Sequence, residues 1–161
     1  MKLKVGIIGY GTMGRIRKDA IMELGKAEII AISEPNLPSN FTQFPNLQHE
    51  DIINHSEIGI IIICTPNFLN KSLTIQALNA GKHVFCEKPP AFTGFDIIEI
   101  REAEKNSGKK LMYGFNHRHD GSILKMKELI DSGEYGNVLW SRGRYGKSVT
   151  EDYYNQWRAK K

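Results

Sequence analysis

A chain of 161 residues, 40% apolar and 25% charged, has the length and composition of a globular domain with a substantial core. Its formal net charge of +4 comes from basic residues scattered among acidic ones, which excludes a nucleic-acid footprint and leaves a mild preference for anionic ligands. The longest apolar run, residues 58–64, is far too short to cross a bilayer. Two cysteines, Cys64 and Cys86, make no disulfide framework, and no signal peptide is apparent, so buried free thiols in a cytoplasmic protein are expected.

Residues 3–8 are apolar and β-branched and predict a strand that stops at Gly9. Ile16, Ala20, Ile21 and Leu24 recur at helical spacing over residues 13–24, with Gly25 as the terminator. A second strand is expected over 28–33, a proline-bearing loop over 35–45, and a short helix over 49–55. The run IGIIIIC at 58–64 has no polar alternation, the mark of a strand covered on both faces at the centre of a parallel sheet. A helix over 69–80 should bury Leu73, Ala77 and Ala80, with Gly81 as its stop. A strand follows at 83–86, then a helix over 94–107 capped by Thr93, then a strand over 110–115. Strands and helices thus alternate, and helices are the crossovers that parallel strands require. The expected fold is α/β: a Rossmann doubly wound parallel sheet over residues 1–118.

Beyond residue 118 the pattern changes. A helix is predicted over 123–130, closed by Gly133. Residues 137–144 alternate, with Val138 and Trp140 on one face, and predict a half-buried antiparallel strand. A lone strand cannot cover its own face, so self-association into a homo-oligomer is expected.

The stretch GYGTMG places Gly9, Gly11 and Gly14 in G-x-G-x-x-G spacing between a strand and a helix. Gly9 permits the tight turn, Gly11 lets backbone approach a pyrophosphate, and Gly14 lets the helix pack close to the strand. The helix start offers free N–H groups and a partial positive charge to phosphates. Glu34, 20 residues past Gly14 at the end of the next strand, is placed to accept hydrogen bonds from an adenosine ribose and to repel a 2′-phosphate. No arginine follows it, so NAD is favoured over NADP. The plain alternatives are a structural turn and a solvated carboxylate.

Two further strand ends carry polar residues. Thr65-Pro66-Asn67 fits either a contact to the nicotinamide half of the cofactor or a simple strand-to-helix turn. In Glu87-Lys88-Pro89, a lysine held at a strand end before proline can hydrogen-bond a substrate hydroxyl and ease its proton loss; the alternative is a surface lysine.

GYGTMG, TPN, AGKHVFCEKPPA and YGFNHRH, in this order, resemble the glucose–fructose oxidoreductase and inositol dehydrogenase family (Gfo/Idh/MocA). The resemblance covers the whole chain, and AGKHVFCEKP is its most specific part; the later GEYGNVLWSRGRYGKS resembles the entry into the family's second domain, which implies that residues 119–161 are the start of a truncated antiparallel α+β domain. It implies that Gly9, Tyr10, Gly11, Thr12, Met13, Gly14 and Glu34 bind NAD, that Thr65, Pro66, Glu87 and Lys88 line the cofactor, and that Lys88 is the catalytic-site lysine. It implies a cis Lys88–Pro89 bond, Asn116 near nicotinamide and substrate, and a Trp157-Arg158 pair closing over the cofactor. Where the family commonly has histidine after TPN, this chain has Asn70, which hydrogen-bonds but does not titrate.

The expected function is NAD-dependent hydride transfer on a sugar or nucleotide-sugar hydroxyl, with impaired turnover because the second domain that brings the family's histidine is not in the sequence. The competing reading is a non-catalytic dinucleotide-binding module or partner subunit; methyl transfer with an adenosyl cofactor is disfavoured by the three-glycine fingerprint. No nucleic acid, membrane or metal is expected, since His117 and His119 lack further ligands nearby.

Overall fold

The computed structural model describes residues 2–146, 148, 151–155 and 159. The chain divides between Gly114 and Phe115 into two compact units. The first alternates β1 (Leu3–Ile8), α1 (Thr12–Leu24), β2 (Ala27–Ser33), α2 (His49–Asn54), β3 (Ile60–Ile63), α3 (Asn67–Asn79), β4 (His83–Cys86), α4 (Gly94–Ser107) and β5 (Leu111–Tyr113). The five strands are parallel and lie in the order β2-β1-β3-β4-β5. This is the doubly wound sheet that the alternation predicts. Strand order reverses between β1 and β3, and in such sheets the crevice outside the carboxyl ends at that point is where ligands bind.

The isoleucine run shows why no polar residue interrupts it. Ile61 and Ile63 pack into one core with Ile52 of α2, Leu73 and Leu78 of α3 and Ala103 of α4. Ile60 and Ile62 belong to the other core, with Val5, Ile7, Tyr10 and Ile32. Successive side chains of β3 thus enter opposite cores, and each must be apolar. Lys82, just before β4, is buried, and its ammonium donates to the carbonyls of His55 (2.7 Å) and Ile58 (2.8 Å). Burial lowers its pKa.

The helix expected over 13–24 forms as α1 with Gly25 at its end, and two other expectations need correction. On α1, Ile21 is half-buried, but Ile16 and Leu24 are 48% and 70% exposed and Ala20 is exposed as well. Gly14 is the buried residue of α1, so this helix is seated by close backbone approach rather than by an apolar stripe. On α3, Ala80 is the exposed C-cap, and Thr74 and Leu78 are buried with Leu73 and Ala77. Finally, residues 137–144 pair with no strand among the described residues. Extended chain needs a neighbour to satisfy its backbone; here Val138, Leu139 and Trp140 are all exposed, with neither face of the alternation selected.

The second unit holds a 3₁₀ turn (Asn116–His119), α5 (Gly121–Asp131) and a 3₁₀ turn (Glu151–Asn155). Asp120 caps α5 by accepting from the Ser122 N–H at 2.9 Å. Met126, Leu129 and Ile130 of α5, with Tyr135 and Val138, line a groove of about 500 Å³ within this unit. Among the described residues, no helix is long and apolar enough to cross a membrane.

Candidate functional site

The turn after β1 is built by three glycines with three different jobs. Gly9 has φ +88°, and a Cβ there would lie 2.7 Å from the Cys64 carbonyl at the end of β3. A Cβ on Gly14 would lie 2.2 Å from the Gly9 carbonyl oxygen. Both are required by packing. Gly11 is not: a Cβ there meets nothing within 4 Å. Its space opens outward, at the N-cap of α1, where no side chain caps the helix and no acidic residue sits in the first turn. The first-turn amides, including those of Thr12 and Met13, face no side-chain acceptor from the cap, so this end of the helix keeps its partial positive charge for an anion. Tyr10 contributes backbone only; its ring is buried edge-on against Phe41 and Phe44, at centroid distances of 5.6 and 6.2 Å.

Glu34 stands beside this loop. One carboxylate oxygen accepts from the Tyr10 N–H at 2.9 Å and the other from the Asn36 N–H at 3.1 Å. Its backbone is held by Asn46: the Glu34 N–H donates to Asn46 Oδ1, and Asn46 Nδ2 donates to the Glu34 carbonyl, both at 3.0 Å. A diphosphate over Gly11 and a ribose against Glu34 fit these donors and acceptors, so the residues present suit a dinucleotide.

The ends of β3 and β4 form a second corner. The Lys88–Pro89 peptide is cis. Asn70 of α3, 1% exposed, donates from Nδ2 to the Glu87 carbonyl (3.0 Å) and the Pro89 carbonyl (2.8 Å), on either side of Lys88. Its Oδ1 accepts from the Thr65 hydroxyl at 3.2 Å. The Thr65 side chain is thereby turned into the protein, and Pro66 is the N-cap of α3. Lys88 itself is exposed. Glu87 is buried, and its Oε1 accepts from Nε of Arg17 (2.8 Å) and, closer still, from the Arg17 terminal nitrogen. The guanidinium lies 4.8 Å over the Phe85 ring. Gly114 leaves room for the Glu87 carboxylate, since a Cβ there would sit 2.8 Å from Oε2.

Cys64 and Cys86 are free thiols. Burial, together with the nearby Glu87 charge, pushes both up to about 12, so neither is a nucleophile at neutral pH. Asn116 begins the 3₁₀ turn of the second unit, and Trp157 and Arg158 lie outside the described residues. Among the described residues, no group of three or more histidine, cysteine or acidic side chains is arranged to hold a metal ion.

Arg17 and Asn46 carry no motif and escape sequence reading, and Gly114 lies within YGFNHRH without its packing role being legible there. Arg17 leaves one trace, a basic residue one helical turn past Gly14. The roles of Asn46 and Gly114 depend on contacts across 12 and 27 residues of chain, which no local pattern encodes.

A reversed parallel strand order, a glycine turn open at a helix start and an acid at the end of β2 define a dinucleotide-binding α/β domain. The chain belongs to the Gfo/Idh/MocA oxidoreductase family with its NAD-binding Rossmann fold, whose family model matches residues 3–115. Inositol 2-dehydrogenase of Salmonella typhimurium is 34% identical over 165 residues, covering 95% of this chain and 49% of that protein. Levoglucosan dehydrogenase of Pseudarthrobacter phenanthrenivorans is 32% identical, covering 93% and 42%. The crystal structure of myo-inositol 2-dehydrogenase from Lactobacillus plantarum superposes with a TM-score of 0.74 at 26% identity, covering 84% of this chain and 43% of that one. The chain thus spans about half the length of the curated relatives it matches.

Proposed function

We propose that this chain is the cofactor-binding half of an NAD-dependent dehydrogenase that oxidises a secondary hydroxyl of a cyclic polyol or sugar. The observation that carries the reading is the juxtaposition of Gly11, whose side opens to empty space at an uncapped helix start, with a Glu34 carboxylate held 2.9 Å from the neighbouring Tyr10 amide. The amides at the start of α1 would bind the diphosphate, and Glu34 would accept from the adenosine ribose hydroxyls. A 2′-phosphate would meet the Glu34 charge, so NAD is the proposed cofactor rather than NADP. When bound, the nicotinamide supplies the hydride acceptor.

Lys88 is the proposed catalytic group. It is exposed at the carboxyl edge of the sheet, between two carbonyls that Asn70 fixes. From there its side chain can hydrogen-bond the substrate hydroxyl and ease loss of its proton. Thr65 and Glu87 support this corner through their side-chain bonds to Asn70 and Arg17. Asn116, Trp157 and Arg158 remain proposed contacts to the nicotinamide side. Self-association in the cytoplasm through the apolar surface around Val138 and Trp140 completes the reading, with no nucleic-acid partner; light scattering of the purified chain is expected to give a mass above that of a monomer.

The test is calorimetry with NAD and NADP, followed by a turnover screen with myo-inositol, hexoses and nucleotide sugars. NAD binding is expected, with slow turnover on a cyclic polyol, sugar or nucleotide sugar. Lys88→Ala should keep NAD affinity and lose about 10²–10⁴-fold in turnover. Failure of NAD to bind would overturn the proposal, and an unchanged rate in Lys88→Ala would remove the role of Lys88.

A further inference from the structure

Glu34 is fixed more firmly than a carboxylate at a strand end needs to be, and the residue that fixes it lies outside the glycine loop. After β2 the chain makes an excursion through residues 35–45 and returns alongside the strand it left. The Ile32 N–H donates to the Pro45 carbonyl and the Leu47 N–H to the Ile32 carbonyl, both at 2.9 Å, which sets Asn46 opposite Ile32 in a parallel bridge. Two residues further on, the backbone pairing stops and the Asn46 side chain takes over. Its amide accepts from the Glu34 N–H and donates to the Glu34 carbonyl at 3.0 Å each. A carboxamide has the donor and acceptor of a peptide group, so Asn46 extends the ladder by one residue with its side chain.

The consequence falls on the carboxylate. With the Glu34 backbone held on both its N–H and its carbonyl, the side chain reaches across to the Tyr10 N–H, and its second oxygen takes the Asn36 N–H. Tyr10 is in turn immobilised by Phe41 and Phe44, which belong to the same excursion. Loop and acid thus form one closed assembly around the place where the adenosine ribose would lie. We infer that Asn46 is a positioning residue for cofactor choice: it holds the Glu34 carboxylate where a ribose 2′-hydroxyl is rewarded and a 2′-phosphate is repelled. This rests on the proposed binding of a dinucleotide at Gly11 and Glu34, and it assigns the NAD preference to a pair of residues rather than to the acid alone.

Discrimination by a fixed charge depends on the charge being unable to swing away. A carboxylate free to rotate into solvent loses most of its repulsion toward a phosphate and its hydrogen bonds to a hydroxyl. Removing the Asn46 amide is therefore expected to weaken NAD binding and to relieve NADP at the same time. A merely structural role would weaken both alike, so the ratio of the two affinities is the diagnostic quantity.

The experiment is fluorescence or calorimetric titration of the 161-residue chain with NADH and NADPH, in the parent, Asn46→Ala and Gln43→Ala. Gln43 lies in the same excursion but bonds the Tyr10 hydroxyl rather than Glu34, and it controls for general loosening of the loop. Thermal melting confirms that each variant is folded. The expected result is an NADH preference in the parent that falls about tenfold or more in Asn46→Ala and stays within about twofold in Gln43→Ala, tenfold being about 1.4 kcal/mol. An unchanged ratio in a folded Asn46→Ala would overturn the inference while leaving the dinucleotide site intact. A ratio that falls equally in both variants would overturn it too, by assigning the effect to the loop as a whole. A parent that binds neither nucleotide would overturn the site itself, and the inference with it.

Discussion

Arg17, on the second turn of α1, donates to the Glu87 carboxylate at the end of β4 and so ties the helix that follows the glycine turn to the corner that carries Lys88. The carboxylate has little water around it, with the Arg17 guanidinium on one side and Gly114 on the other. Such a pair gains little over a well-packed apolar substitute, but removing one partner strands a buried charge. Arg17→Ala is therefore expected to destabilise the fold by about 3 kcal/mol. The double variant Arg17→Met, Glu87→Gln should recover most of that loss. Urea unfolding of the parent, Arg17→Met, Glu87→Gln and the double variant measures the coupling; additive losses would show that the two side chains act independently.

The same corner depends on Asn70. Both protons of its amide are used on carbonyls and its oxygen on a hydroxyl, at a position with almost no solvent access. Asn70→Ala leaves the Pro89 carbonyl unanswered beside Lys88 and the Glu87 carbonyl with only the weak Cys86 thiol donor at 3.4 Å, a cost of roughly 2–4 kcal/mol. Asn70→Asp should cost more, because it turns an acceptor toward each of them. Thermal melting checks the order: parent above Ala, Ala above Asp.

Acid sensitivity is expected where α3 meets α4. The Lys71 ammonium, and then Thr93, hold the Asp96 carboxyl down at about 2, against an ordinary value of 3.8. Asp96 also closes the capping box with Thr93 at the start of α4. Its folded pKa lies below its unfolded one, so the folded state binds this proton less readily. The stability it contributes is complete above pH 3.8 and is lost as pH falls toward 2. Urea midpoints taken across that window should decline more steeply in the parent than in Asp96→Asn. Identical slopes would show that Asp96 does not titrate against folding.

Much of this architecture is legible in the residues themselves. The isoleucine run announces a central strand, because a strand entering two cores has no polar face to show. Gly94 to Ser107 is framed by a capping threonine and a stop glycine that act locally, and its bounds are read without tertiary information. The glycine turn and Glu34 are legible for the same reason: each obeys a spacing set by a single strand–turn–helix unit. What is not legible depends on distance along the chain. The periodicity of α1 marks a face but not whether anything covers it, and Ile16 and Leu24 are exposed. The alternation at 137–144 marks a strand's side-chain pattern but supplies no partner for its backbone. Arg17, Asn46 and Gly114 acquire their roles only when the fold brings Glu87 and Glu34 to them.

The most direct measurement separates a turn that binds a diphosphate from one that only turns the chain. Gly11 has ordinary extended backbone, and a Cβ there meets no protein atom within 4 Å. Gly11→Val should therefore fold like the parent, with a thermal midpoint within a few degrees, while its branched side chain occupies the space over the helix amides. Calorimetric titration with NADH is expected to show binding to the parent and a loss of about 100-fold or more, roughly 2.7 kcal/mol, in the folded variant. A folded Gly11→Val that binds NADH as tightly as the parent would contradict the dinucleotide site.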